Sequence, residues 1–426
     1  MTIFSRRRGA LVATTGLIAA CRSGGVAPAA SVASIKPDSA AIQRDIEYLA
    51  SEPLAGRLTG TPGNDSAAAY IARRYAALGL TAAAPMYLQR FTARPVTHAG
   101  PPPSLPTQNV FAVLNGRDPA LRGEYIVVGA HFDHLGNSTD GALDPDSHRI
   151  RRGADDNASG TAAVMELARF FAHAPARRSI IFANFSGEEE GLLGSSYFAD
   201  HSPVPIDSIY TMINFDMVGR LRNDKLIVYG VATATEFPAL LENANSETHL
   251  RIIGQGDGFG PSDHSSFYAK NIPVMHFFTD LHDDYHRATD TPEKINSGGE
   301  ARVVALAERV VRAIADRPGH LTFVRVAAPV QSAGSGSDVY LGTIPDMASG
   351  DTPGLRITGV RAGSPAEIGG LRADDVIVEF GGTPVKDLNE YSNALYSHKP
   401  GDTVSLIVLR TGQRVTLSVK LGKRGS

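Results

Sequence analysis

The chain has a single cysteine, Cys21, and no tryptophan among its 426 residues. One cysteine excludes an intramolecular disulfide and any cysteine-only metal site. Beyond Arg6-Arg7-Arg8 there is no basic run, and the formal net charge is −3. The electrostatic footprint of a nucleic-acid-binding protein is therefore missing. Long apolar runs are missing too: the stretch from Gly9 to Ala20 is too short for a stable transmembrane helix. What remains is ordinary globular material, 42% hydrophobic and 20% charged. It suffices for two or three domains at about 150 residues each.

The lone cysteine has an informative position. Arg6-Arg7-Arg8 is followed by that apolar stretch and then by Ile18-Ala19-Ala20-Cys21. A charged segment, a short apolar segment and a small-residue exit form an export signal. The last four residues resemble a bacterial lipobox, which implies lipidation of Cys21 and attachment to a membrane surface. Ordinary cleavage near Ala27-Pro28-Ala29 is the alternative. The expected location is exported: the periplasmic face of an outer membrane, or the periplasm or exterior.

The expected organisation is a signal peptide at 1–21, a tether at 22–37, a main domain at 38–325, a Gly/Ser linker at 326–336 and a small domain at 337–424. Helices are expected at Asp38–Leu49, Gly63–Leu78, Ser159–His173, Ser195–Asp200, Phe237–Thr248 and Glu300–Ala315. Strands are expected at Val110–Leu114, Tyr125–Ala130, Ser179–Ser186, Tyr210–Asp216 and Pro273–Phe278. Pro95 to Pro106 reads as a Pro/Gly-rich crossing. Alternating apolar strands and helices predict a three-layer α/β/α domain on a mixed, mostly parallel sheet. The C-terminal segment, with short strands and Gly-rich turns, predicts a small β-rich domain.

Five short blocks of acids and histidines punctuate the ends of the expected strands: His131-Phe132-Asp133-His134, Asp155-Asp156-Asn157, Glu188-Glu189-Glu190, Asn214-Phe215-Asp216 and Tyr285-His286. Open α/β sheets gather ligands at the carboxyl ends of their strands. Acids converging there are costly unless something neutralises them, and divalent cations do so economically. In an extended segment His131 and Asp133 share a face, so Asp133 can fix the tautomer of His131. By the same alternation His134 points the other way and is not a ligand. Helix capping accounts for Asn157 and Ser159 but not for two adjacent acids. Of neighbouring glutamates, one can bind metal and the next can move protons. Ser262-Asp263-His264 reads either as a helix cap with a structural histidine or as a block with a direct role at the site. Asp155, His282 and Asp284 read as solvated loop residues.

Together the blocks GAHFDHLG, GADDNASGTAAVMELA, FSGEEEGLLGS, NFDMVG, PSDHSSF and YHRATDTPEKI resemble the co-catalytic zinc exopeptidases of metallopeptidase family twenty-eight. The resemblance implies two Zn²⁺ ions, with Mn²⁺ or Co²⁺ as substitutes. It implies that Asp156 bridges them, that His131 and Asp216 complete one site, and that Glu189 and His286 complete the other. Glu188 becomes the general base, Asp133 the support of His131, and Tyr285 an oxyanion-stabilising residue. A cis peptide is implied between Asp156 and Asn157.

Residues from about Val330 to Gly422 resemble a bacterial PDZ domain, through Tyr340-Leu341-Gly342-Thr343, Gly363-Ser364-Pro365-Ala366 and Gly370-Leu371-Arg372-Ala373-Asp374-Asp375. Such domains bind an extended peptide as an added strand and capture its terminal carboxylate; bracing of the main domain is the alternative. The leading expectation is a membrane-tethered di-zinc aminopeptidase acting on peptides with a free N-terminus. The alternatives are a carboxypeptidase or dipeptidase using Arg220 or Arg222, a glutaminyl cyclase-like transferase, and a non-enzymatic peptide-binding lipoprotein.

Overall fold

The computed structural model of the chain describes residues 1–2, 36–94, 104–139, 141–260, 262–326, 339–345, 354–360, 363–386, 390–391, 394–395 and 397–423. Cys21 and its neighbours, the 22–37 tether up to Ile35, and most of the Gly/Ser linker lie outside the described residues, so the export and lipidation expectations do too. Among the described residues no helix is long and apolar enough to cross a membrane.

A nine-stranded mixed sheet organises the main body. In chain order its strands are β1 (Thr81–Ala82), β2 (Leu88–Ala93), β3 (Leu105–Leu114), β4 (Tyr125–His131), β5 (Ser179–Phe185), β6 (Ile209–Phe215), β7 (Lys225–Tyr229), β8 (Arg251–Gly254) and β9 (Val274–Phe278). The spatial order is β1-β3-β5-β4-β6-β9-β7-β8, with β2 paired to β3. The central strands β5, β4, β6 and β9 run parallel. β3 and β7 join them antiparallel on either side. Every residue of β5, β6 and β9 is buried, as expected of parallel strands covered on both faces.

Strand alternation sends neighbouring residues to opposite helical layers. Val127, Ile181 and Met212 join Phe198 and Phe267 in one cluster, where α4 (Leu193–Asp200) and α6 (His264–Tyr268) lie. Phe182 faces the rings of Tyr75 and Phe171 instead, from α2 (Pro62–Ala77) and α3 (Gly160–His173). With α1 (Ser39–Leu49), α5 (Phe237–Asn245) and α7 (Ser297–Asp316), the three-layer α/β/α arrangement is complete. Strands β1, β2, β7 and β8 were not expected, and β3 begins at Leu105, inside the presumed Pro/Gly crossing.

The C-terminal segment forms an antiparallel six-stranded sheet, ordered β11-β12-β13-β15-β16 with β14 on β13. It is preceded by β10 (Val339–Tyr340), which pairs with β17 (Gly422–Lys423). The strands are β11 (Thr343–Pro345), β12 (Leu355–Val360), β13 (Val376–Phe380), β14 (Thr383–Pro384), β15 (Thr403–Arg410) and β16 (Gln413–Lys420), with α8 (Pro365–Ile368) between β12 and β13. Leu355, Ile357, Ile377, Phe380, Leu406 and Val408 form its dry centre. The expected β-rich module is present.

Candidate metal centre

Parallel β4, β5, β6 and β9 end at one edge, and each delivers a polar side chain there. His131 closes β4; Glu188 and Glu189 follow β5 after the turn at Gly187, whose φ of +82° suits glycine. Asp216 follows β6, and the loop after β9 carries Tyr285 and His286. Asp156 arrives from a wide helical turn at Ala154–Ser159 that runs into α3. Its backbone is non-helical, and the Asp156–Asn157 peptide is cis, as the resemblance implied.

The five expected ligands meet as two groups around one carboxylate. His131 Nε2 lies 3.4 Å from Asp156 Oδ1 and 3.4 Å from Asp216 Oδ1. His286 Nε2 lies 3.1 Å from Asp156 Oδ2 and 3.1 Å from Glu189 Oε2. Glu188 Oε2 approaches His131 Nε2 at 4.0 Å. Bonds of about 2.0–2.1 Å would set the ligand atoms of a tetrahedral zinc ion about 3.3 Å apart. The observed spacings of 3.1–3.4 Å fit that requirement at both groups. His131 Nε2 and Asp216 Oδ1 are buried without a hydrogen-bond partner, which native structures avoid unless something else satisfies them. An all-nitrogen-and-oxygen set of this kind suits zinc.

The electrostatics describe a centre short of positive charge. Burial pushes Glu188 well above the usual carboxylate range, against the pull of His131 and with the help of Glu189 and Asp216. Burial and Glu189 likewise raise Asp156. Burial opposes the charged form of Glu189 too, but His286 and His134 outweigh it and hold that carboxyl well below its usual range. His131 follows the same logic: burial disfavours its charge, yet Asp216 and Glu188 keep it well above an ordinary imidazole. Two cations would remove the repulsion that raises Glu188 and Asp156.

Asp133 has a different duty from the one expected. Its carboxylate is 3.7 Å from His131 Nδ1, too long for a hydrogen bond. It accepts instead from Thr59 Oγ1 at 3.2 Å and from the backbone N–H groups of Glu188 and Glu189, both at 3.3 Å. Asp133 thus holds the glutamate loop and favours His131 only as a nearby charge.

The structure overturns three readings of neighbouring residues. His134 does not point away: its Nδ1 is 2.7 Å from Glu189 Oε1. The strand ends at His131, so alternation no longer governs His134. Asp155 and His282 are not solvated. They are buried and joined at 3.0 Å, and Asp155 Oδ1 also accepts from the Gly219 N–H at 2.7 Å. Asp284 is half-buried and paired with Arg220 at 2.9 Å. Ser262 reaches the site, since its hydroxyl donates to Asp216 Oδ2 at 2.8 Å, and Asp263 makes no side-chain capping bond. Asn157 does cap: its Oδ1 accepts from Gly160 N at 2.8 Å. Two further residues had no signal in the sequence pattern. Asp290 Oδ2 accepts the N–H groups of both Asp155 and Asp156, and Arg57 lies buried beneath the ligand loops.

Beside the centre opens a cleft of about 610 Å³, its mouth included. It is lined by the charged or polar Asp156, Glu188, Asp216 and His286 together with Met217, Phe278, Leu281 and Tyr285. Tyr285 stacks on His286 with ring centroids 3.8 Å apart. No lysine or arginine lines the cleft among the described residues.

Comparison with known proteins finds two family matches along the chain. Residues 109–311 match Peptidase family M28 and residues 339–421 match the PDZ domain. A probable zinc metalloprotease of Pyrenophora teres f. teres is 35% identical over 155 residues, 36% of this chain and 32% of the relative. A leucine aminopeptidase 2 of Trichophyton equinum is 28% identical over 207 residues, 46% of this chain and 38% of the relative. The chain spans about a third of the length of these curated relatives. An aminopeptidase from Aneurinibacillus sp. strain AM-1 superposes with a TM-score of 0.54 at 19% identity, covering 70% of this chain and 98% of that one. A likeness that distant shows a shared fold.

Proposed function

We propose that this chain, which carries a domain of peptidase family M28 followed by a PDZ domain, is a di-zinc aminopeptidase. The observation that carries this reading is the pair of ligand groups sharing Asp156 beside a cleft that no lysine or arginine lines among the described residues. His131, Asp156 and Asp216 would hold one ion, and Asp156, Glu189 and His286 the other. Bound there, two divalent ions would supply Lewis acidity and make a water acidic enough to deprotonate at neutral pH.

The chain's own residues divide the remaining work. Glu188 lines the cleft, and its carboxyl would take the proton of the attacking water and pass it to the leaving amine. The surrounding acids would attract the free ammonium group of an N-terminal residue. Met217, Phe278 and Leu281 would receive its side chain, which favours an apolar one. Tyr285, at the cleft wall, would donate its hydroxyl to the developing oxyanion.

The missing cation weighs against the carboxypeptidase alternative. Arg220 is bound to Asp284 at 2.9 Å and Arg222 to the Leu281 carbonyl at 2.8 Å. Neither lines the cleft among the described residues, so a substrate carboxylate would find no partner there. The test is hydrolysis of leucyl- and alanyl-anilides against N-acylated dipeptides by purified protein, with added zinc and with a chelator. Anilide cleavage abolished by the chelator is expected; cleavage of only the N-acylated substrates would reverse the assignment. Cyclisation of N-terminal glutamine without hydrolysis would point to the transferase alternative.

Two peripheral roles belong to the same proposal. The PDZ segment would bind a C-terminal peptide at Tyr340-Leu341-Gly342-Thr343, where Gly342 has φ +87°. Cys21 would carry a lipid anchor on the periplasmic side of an outer membrane; the mass of the mature N-terminus and a Cys21→Ser variant test that.

A further inference from the structure

Glu189 spends its two oxygens in different directions. Oε2 faces His286 Nε2 at 3.1 Å, on the side where Asp156 Oδ2 also lies. Oε1 faces His134 Nδ1 at 2.7 Å. A carboxylate only accepts hydrogen bonds, so Nδ1 is the donor at this distance. His134 is fully buried. Its ring meets that of His286 edge-on at 5.8 Å. Gly153 lies so close that a Cβ there would sit 2.4 Å from His134 Cγ. The imidazole is walled in, and its aim at Oε1 is set by packing.

We propose that His134 is a positioning residue for the second metal position, holding Glu189 to a single donor oxygen. The proposal rests on the two-metal reading above. With Oε1 tied to Nδ1, only Oε2 is presented alongside His286 Nε2 and Asp156 Oδ2. Released, the carboxylate could rotate and present both oxygens. Few nitrogen and oxygen donors suit zinc, whereas oxygen-rich, higher-coordinate sites suit manganese. His134 therefore bears on which metal the second position prefers, without itself being a ligand. Partners that orient metal ligands typically contribute a factor of about 10–100 in metal affinity.

The experiment compares full-length wild type, His134→Ala and His134→Gln. Metal-free protein is titrated with zinc, equilibrated with zinc–manganese mixtures, and loaded with cobalt for its visible spectrum. Wild type is expected to take two ions. His134→Ala should keep the first at wild-type affinity and bind the second about 10–100-fold more weakly. Its second position should also shift toward manganese and give a weaker cobalt spectrum. The amide N–H of His134→Gln should restore part of each change. Unchanged affinities and preference in a folded His134→Ala protein would overturn the proposal. So would equal losses at both positions with a lower melting temperature of the metal-free form, the signature of a merely structural residue. Nitrogen NMR of zinc-loaded wild type needs no variant: a proton on His134 Nδ1 is expected, and a metal-bound Nδ1 would overturn the assignment. A wild-type protein that takes up fewer than two ions would instead sink the two-metal reading, and this one with it.

Discussion

Arg57 donates from Nη2 to the carbonyl of Gly153 at 2.8 Å, beneath the loop that carries Asp156. The same guanidinium donates to Phe132 at 2.7 Å, Leu49 at 2.6 Å and Arg152 at 2.7 Å. It is completely buried. Burial lowers its pKa to about 10, opposed by Asp133, Asp156, Asp290 and Glu189, so it stays charged at neutral pH. One planar cation thus ties the residue after His131 to the residues before Asp155.

Replacing Arg57 with lysine keeps the charge but not the fork geometry, and alanine removes both. A buried carbonyl left without a partner costs about 1–3 kcal/mol, and of the four acceptors the Gly153 carbonyl keeps the Ala158 N–H. We expect Arg57→Ala to lose more than about 3 kcal/mol and Arg57→Lys about half as much. Denaturant titration of the metal-free proteins measures this. An alanine variant within about 0.5 kcal/mol of wild type would show that these bonds contribute little.

The parts of the fold that were legible in the sequence were those whose burial is uniform. Strands β4, β5, β6 and β9 are covered on both faces and read as mostly apolar runs. Strand β8 has exposed ends around two half-buried residues, and short edge strands of that kind leave no such run. In the site, the ligand residues were legible because acids at strand ends are chemically conspicuous. His134 was misread because the two-residue period stops where the strand stops. Arg57 and Asp290 are ordinary polar residues in loops. Their importance lies in partners 75 to 135 positions away in sequence, and only folding reveals such pairings.

Asp156→Asn should separate metal binding from folding. Burial and Glu189 raise the carboxyl of Asp156, so in metal-free protein this charge opposes the native state. Removing it should stabilise the metal-free form. The same change removes the shared anion, so zinc content should fall from two equivalents to one or none. Added zinc would then no longer raise the melting temperature as it does for wild type. Elemental analysis and thermal melts with and without chelator decide. Full zinc loading in the variant would remove Asp156 from the bridging role.

Glu188→Gln should behave in the opposite way. Glu188 lines the cleft, and although its Oε2 comes within 4.0 Å of His131 Nε2, it is not one of the five proposed ligands, so both ions should be retained. Turnover should drop by about 10²–10⁴, the usual contribution of a positioned general base. The substrate KM should change little, because Glu188→Gln leaves Met217, Phe278 and Leu281 in place. Near-normal turnover would exclude Glu188 as the proton carrier.

His276 gives the folded protein a pH dependence of its own. It is buried between the rings of His264 and Tyr229, and its Nδ1 lies 3.1 Å from Asn214 Nδ2. Burial lowers its pKa to about 4, against the attraction of Asp216 and with the repulsion of His131. An unfolded chain holds an ordinary imidazole near 6.5. Between those values the unfolded state binds a proton that the native state refuses, so stability rises with pH across that window. The contribution is complete above about 6.5 and is lost as pH falls toward 4, amounting to roughly 2 kcal/mol at about pH 5. His276→Gln can still accept from Asn214 but cannot titrate. Denaturant midpoints at about pH 7.5 and about pH 5, in chelator, should therefore fall further for wild type than for the variant. Equal losses in the two proteins would mean that the acid sensitivity lies in groups other than His276.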